Sequence, residues 1–126
     1  MPAHLEHVNY TVRDVRQTAK WLCELFDWKI RWEGPSLNGG HTAHVGTDTH
    51  YVALYNHGTP VATQEDNYTT VGGLNHIAVT VDDIDAMEER VKQLGFTPKS
   101  HADYEPGRRF YFYDHDGIEY EIVQYD

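Results

Sequence analysis

The chain has 126 residues, about one domain, with 20 acidic against 10 basic side chains and a formal net charge of −10. No Lys/Arg run exceeds Arg108-Arg109, so the basic footprint that a nucleic-acid partner or an anionic membrane surface needs is missing. One cysteine (Cys23) permits no intramolecular disulfide, no basic and apolar signal block opens the chain, and no apolar run nears the ~20 residues of a membrane span, so the expected location is the cytoplasm.

Residues 4–12 alternate, with Val8, Tyr10 and Val12 on one face and His7, Asn9 and Thr11 on the other, which predicts a strand. Over 14–27 the period becomes helical: Val15, Ala19, Leu22 and Phe26 recur, Leu25 widens the stripe, and Asp14 is the expected N-cap. Cys23 lies near that stripe and reads as a small buried apolar group, since no basic neighbour is evident to lower its pKa. Trp28 to Glu33 reads as a strand, Gly34 to Gly40 as a breaker-rich loop, and His41 to Gly46 and His50 to Asn56 as two further strands. In the last of these Val52 and Leu54 face one way, and Tyr51, Ala53 and Tyr55 the other. Residues 58–72 are polar and aperiodic and read as a connector.

The order β-α-β-β-β then recurs. Leu74 to Val81 alternates as a strand; Ile84, Met87, Val91 and Leu94 give a helix stripe, with Asp82 or Asp83 at its start and Gly95 at its end. Phe96 to Ser100 is the next expected strand, limited by Pro98. Tyr104 to Gly107 is a turn, Arg109 to Tyr113 a strand, and Asp114-His115-Asp116-Gly117 a hairpin turn with positive φ at Gly117. Ile118 to Gln124 closes the unit, with Ile118, Tyr120 and Ile122 on one face and Glu119, Glu121 and Val123 on the other.

The recurrence extends to residue identity. At a constant offset and without a gap, Leu5 matches Leu74, His7 matches His76, Val8 matches Ile77, Thr11 matches Thr80, Val12 matches Val81 and Asp14 matches Asp83. Each unit of about 60 residues is marginal alone, so the two are expected to share a sheet or to pair with a second chain. If their polar strand faces curl around a shared cavity, His7, His76 and Glu121 fall on one wall, with Tyr51, Ala53 and Tyr55 in the same layer. Two imidazoles and a carboxylate suit one divalent ion (Fe, Mn, Ni, Co or Zn) per site, and three protein ligands leave positions for water and substrate.

The motifs Leu5-Glu6-His7-Val8, Leu74-Asn75-His76-Ile77-Ala78-Val79 and Asp114-His115-Asp116-Gly117-Ile118-Glu119-Tyr120-Glu121 resemble those of the vicinal oxygen chelate superfamily. That group includes glyoxalase I, extradiol dioxygenases, fosfomycin-resistance enzymes and bleomycin-binding proteins. The resemblance spans essentially the whole chain. It implies an α+β fold of two βαβββ modules forming a cup-shaped mixed sheet, as a single domain over 1–126. Module one is expected at about 4–57 and module two at about 73–126. It carries the metal-ligand role onto His7, His76 and Glu121, with Glu121 also catalytic.

Glyoxalase I has a fourth ligand, Glu or Gln, on the last strand of the first module. Here Ala53 takes that position and cannot ligate. The remaining set resembles the facial triad of extradiol dioxygenases, which add a His and a Tyr as acid/base helpers. The candidates for such helpers, and for substrate contact, are His41, His44, Tyr51, Tyr55 and Tyr111. Arg109, with Arg108, either grips an anionic substrate or forms an ordinary solvated turn. The implied function is a metal-dependent enzyme acting on a small oxygen-chelating substrate, by lyase/isomerase or ring-cleaving dioxygenase chemistry. The alternative is a metal-free, ligand-sequestering protein of the bleomycin-resistance type, using Tyr51, Tyr55, Trp28 and Trp32. The expected partners are a small-molecule substrate and a second copy of the chain as a homodimer, with no nucleic acid and no membrane. In a swapped dimer His7 would come from one chain, and His76 and Glu121 from the other.

Overall fold

The computed structural model describes residues 1–62 and 66–126. The chain divides into two compact units, Met1–Ala62 and Thr63–Asp126.

Unit one runs β1 (His7–Thr11), α1 (Val15–Phe26), β2 (Lys29–Pro35), β3 (His41–Gly46) and β4 (Tyr51–Asn56). Its sheet has the order β1-β4-β3-β2, with β1 parallel to β4 and the other pairs antiparallel. A parallel pair needs a crossover, and α1 supplies it. Asp14 starts the helix by accepting a hydrogen bond from the Gln17 amide at 3.0 Å. Asp27, left-handed at φ 57°, ends it. The buried helix stripe is Val15, Thr18, Ala19, Trp21, Leu22 and Leu25. Phe26, expected in that stripe, is half-buried and packs on Trp28 at 4.8 Å between centroids. Opposite α1 the sheet buries Ala43, Val45, Val52 and Leu54. Burying each larger aliphatic side chain contributes about 1.5–3 kcal/mol. The other sheet face therefore carries the residues of opposite parity, His7, Asn9, His44, Tyr51, Ala53 and Tyr55.

Unit two repeats the plan: β5 (Ile77–Thr80), α2 (Ile84–Gln93), β6 (Lys99–Tyr104), β7 (Gly107–Tyr113) and β8 (Glu119–Tyr125), with sheet order β5-β8-β7-β6 and β5 parallel to β8. Asp83 caps α2 through the Ala86 amide at 3.1 Å, and Gly95 follows the helix at φ 92°. Gln124 adds a side-chain tie, its Oε1 accepting from the Ile84 amide at 2.9 Å. Phe110, Phe112, Tyr120 and Ile122 are fully buried on one sheet face. Arg109, Tyr111, Glu119 and Glu121 share the other.

The β-α-β-β-β order expected of each unit is the order found. Several boundaries differ. β6 starts at Lys99 rather than Phe96, because Pro98 offers no ladder donor and Phe96 stacks on Phe112 (5.4 Å) instead of extending the strand. β2 continues through Pro35, which leaves only a 3-10 turn at Leu37–Gly39 of the expected loop. His76 lies just before β5 rather than inside it. Residues 63–65 of the connector lie outside the described residues. After them Asp66 organises a turn, accepting the Tyr68 amide at 2.8 Å on its side chain and the Thr70 amide at 3.0 Å on its carbonyl. Among the described residues no helix is long and apolar enough to cross a membrane.

Candidate metal centre

Unit two brings two predicted ligands together. The β5–β8 ladder pairs Ile77 with Tyr120 and Ala78 with Glu121. From its place ahead of β5, His76 reaches Glu121, with Nε2 to Oε1 at 3.1 Å. The other ring nitrogen, Nδ1, is 2.6 Å from Asn75 Oδ1. An amide oxygen only accepts, so Nδ1 donates to Asn75 and Nε2 is the ring nitrogen directed at Glu121. Two donors each about 2.1 Å from one ion, at right angles, stand about 3.0 Å apart, so the 3.1 Å separation fits adjacent ligand positions.

Glu121 is buried and held on both sides. Arg109 Nη1 donates to its second oxygen at 3.0 Å, and the guanidinium lies 4.8 Å from the Tyr104 ring centroid. Arg109 is thus committed to Glu121, while Arg108 grips Asp85 with a shorter bond of 2.8 Å. Tyr111, cross-strand from Glu121, sets its ring edge-on to His76 at 5.7 Å. Burial raises the Tyr111 phenol above its ordinary pKa, and the Glu121 charge adds to this, so the hydroxyl stays protonated. Glu119, on the same face, is also buried and accepts from Lys99 Nζ at 2.5 Å. Burial, and then the Glu121 charge, raise the Glu119 carboxyl.

Unit one builds its histidine in the same way. His7 Nδ1 is 2.9 Å from Glu6 Oε1, so the residue before each histidine holds Nδ1 and leaves Nε2 outward. Tyr51 Oη donates to the same Glu6 oxygen at 3.1 Å and stacks on the His7 ring at 4.8 Å. Hydrogen bonds from His7 and then Tyr51 hold the Glu6 carboxyl below its ordinary pKa. Arg31 lies 4.2 Å over the Tyr51 ring. His44 stacks on Tyr51 at 4.8 Å, and Trp32 tilts over His44 at 5.1 Å. Burial lowers the His44 pKa, with the His7 charge adding to it.

The ladder fixes the position of Ala53. Asn9 pairs with Ala53 just as Ala78 pairs with Glu121, so Ala53 is the counterpart of Glu121 and unit one has no carboxylate there. Tyr55 is on the same face, but its ring meets His57 at 6.4 Å. His41 has the opposite strand parity from His44 and pairs with Glu33 at 2.8 Å, and His50 bonds Thr49, so the histidines of residues 41–57 are not gathered. Within neither unit, among the described residues, do three His, Cys, Asp or Glu side chains form a cluster.

Sequence reasoning passed over Glu6 and Asn75, Arg31 and Lys99. For the first two a signal existed, since the repeat sets both directly ahead of a histidine. Cation–ring and cross-strand contacts leave no comparable trace.

The Glyoxalase/Bleomycin resistance protein/Dioxygenase superfamily model matches residues 4–122. A fosfomycin resistance protein, FosX, of Listeria innocua is 26% identical over 126 residues, 97% of this chain and 90% of that one. A glyoxylase/bleomycin resistance protein/dioxygenase domain from Frankia sp. EAN1pec has a TM-score of 0.83 at 25% identity, covering 100% of this chain and 94% of its own. FosX from Listeria monocytogenes, in complex with Mn(II) and a sulfate ion, has a TM-score of 0.77 at 23% identity, covering 100% and 95%. With two βαβββ units and a family match over nearly its whole length, the chain belongs to the glyoxalase/bleomycin resistance/dioxygenase, or vicinal oxygen chelate, superfamily.

Proposed function

We propose that the protein is a divalent-metal-dependent enzyme acting on a small substrate that offers neighbouring oxygens, with His7, His76 and Glu121 as the protein ligands. The observation that carries this reading is the His76–Glu121 pair, Nε2 and Oε1 3.1 Å apart with the far side of each group already anchored. His7, with its Nδ1 held in the same way, is the third donor. Anchoring of the far nitrogen is what a ligating imidazole ordinarily has, and it fixes tautomer and ring orientation. Mn(II) in the Listeria monocytogenes relative is consistent with a hard or borderline divalent ion here. The functional protein is a homodimer.

When bound, the ion would act as a Lewis acid toward the substrate oxygens. The protein groups divide the remaining work. Arg109 fixes Glu121 through one oxygen, so that the other is free to ligate or to hold a proton. Tyr111 keeps a hydroxyl proton beside His76 and can donate a hydrogen bond to substrate. Tyr51, Arg31 and His44 line the unit-one face, where the guanidinium favours an anionic substrate. With Ala53 in place of a carboxylate, more of the coordination sphere is left to substrate and co-substrate. That favours dioxygenase-like or resistance-type chemistry over strict glyoxalase isomerisation.

The test is a panel on Mn(II)- and Fe(II)-loaded protein: a catechol with O₂, the hemithioacetal of methylglyoxal and glutathione, and fosfomycin. Turnover of one of these by the parent and none by Glu121→Gln supports the reading. Full activity in that variant removes Glu121 from the mechanism.

One observation favours the sequestering alternative. Trp32 is 53% exposed on β2 and borders His44, as a ligand-binding shelf would. Ligand quenching of tryptophan fluorescence in metal-stripped protein, unchanged on adding metal, would favour it.

A further inference from the structure

Unit one lacks a carboxylate where unit two keeps one, and a histidine stands beside the gap. On β3, His44 is directly opposite Ala53; on β7, Tyr111 is directly opposite Glu121. His44 is therefore the counterpart of Tyr111, as Ala53 is of Glu121. Between the two units a donor is lost on the fourth strand and a donor-bearing ring is present on the third, one position across the ladder and on the same face.

Four features set His44 apart from an ordinary strand histidine. It is half-buried on the face that carries His7. Its ring lies 6.4 Å from the His7 ring and nearly parallel to it, at 16°. Imidazoles that share one ion through nitrogens at about 2.1 Å have centroids from roughly 4.5 Å apart at right angles to roughly 6.5 Å when trans, so at 6.4 Å the two rings reach a common ion only from its opposite sides. Among the described residues neither His44 ring nitrogen is engaged in a hydrogen bond or ion pair, whereas His7, His41, His76 and His101 each have one committed. The side chain directly across the ladder is only a methyl group, so no bulky group stands opposite the ring there.

We propose that His44 supplies the donor that Ala53 cannot, so that unit one offers two imidazole nitrogens, from His7 and His44, to the divalent ion. This rests on the metal-ligand reading above. It narrows that reading, since the position Ala53 leaves open is then taken by His44 rather than by a co-substrate, and the greater nitrogen content favours Co(II), Ni(II) or Zn(II).

The test uses the full chain, purified without a histidine tag, with Co(II) as the probe, reading affinity by calorimetry and ligand field by visible absorption. His44→Phe keeps the ring stack on Tyr51 and removes both nitrogens. It is expected to lower Co(II) affinity by about tenfold or more and to shift the visible bands. Adding Ala53→Glu to His44→Phe is expected to restore affinity, since it returns a donor to the vacant position. Equal affinity and an unchanged spectrum in His44→Phe, with binding lost in His7→Ala and His76→Ala, would overturn the role of His44 and leave the three-ligand reading standing. No Co(II) uptake by the parent would overturn both. A circular dichroism spectrum matching the parent's shows that the variants fold.

Discussion

His76 Nε2 and Glu121 Oε1 lie 3.1 Å apart, and each group is tethered on its far side, the ring by Asn75 and the carboxylate by Arg109. Neither tether touches the gap between the two donors. The pair is thus oriented without being consumed, the arrangement a ligand pair needs before an ion arrives.

The tethers make the first prediction. Asn75→Ala and Glu6→Ala each leave a proposed ligand histidine in place but free its Nδ1. Each is expected to weaken divalent-metal affinity by about 10- to 100-fold with little change in stability, measured by metal titration beside thermal unfolding. Parent-like affinity in both variants would mean that the histidines need no orienting partner.

Arg109 makes a second prediction, about stability. Its guanidinium pairs with Glu121 in a spot where both side chains are nearly buried. Arg109→Leu strands a buried carboxylate and is expected to cost about 2 kcal/mol or more in urea unfolding of the metal-free protein. In Arg109→Leu/Glu121→Leu the loss should be less than the sum of the two single losses, because the unpaired charge is gone. Additive losses would show that the pair is not coupled.

The hairpin between β7 and β8 carries a pH signature. Buried Asp114 accepts the Asp116 and Ile118 amides on Oδ1, at 2.9 and 3.0 Å, and burial raises its pKa above the ordinary 3.8 despite those bonds. For an acid with a raised pKa the folded chain binds the proton more tightly than the unfolded chain. Its contribution is therefore largest at low pH and is lost as pH rises from about the unfolded value through the folded one. The stability of the parent minus that of Asp114→Asn should fall across that interval and be level on either side. A difference that rises with pH there would contradict the assignment.

The helix caps give a simpler check on the fold. Asp14 and Asp83 occupy matching positions in the repeat and each caps its helix through a backbone amide three residues on. Replacing either by Ala is expected to cost about 1 kcal/mol. The two losses should add when combined, since the caps share no partner.

What was legible in the sequence follows from which forces leave a period. The two-residue alternation around His7 and Glu121 assigned both to the polar faces of their strands, and the ladders agree. The repeat sets His7 against His76, while only the family resemblance points to Ala53 as a vacant ligand position; the Asn9–Ala53 and Ala78–Glu121 pairings make Ala53 the counterpart of Glu121. β6 starts later than the apolar pattern predicts because Phe96 is apolar for a packing reason: it stacks on Phe112 and meets His115 at 4.9 Å without joining a ladder. The sequence leaves Arg109 between gripping an anionic substrate and a solvated turn, because it shows the neighbours along the chain but not Glu121 across the ladder. Trp21 fills the core of unit one where Phe26 was expected, since helix rotation against a sheet is set by packing and the apolar stripe is broader than the contact.

The most direct test of the central claim is the metal content of protein purified without a histidine tag, beside His76→Ala. The account predicts about one divalent ion per chain in the parent, lost in the variant, with the identity of the ion separating redox-active iron or manganese from nickel, cobalt or zinc. No bound ion in the parent and no uptake on reconstitution would contradict it and leave ligand sequestration as the better account.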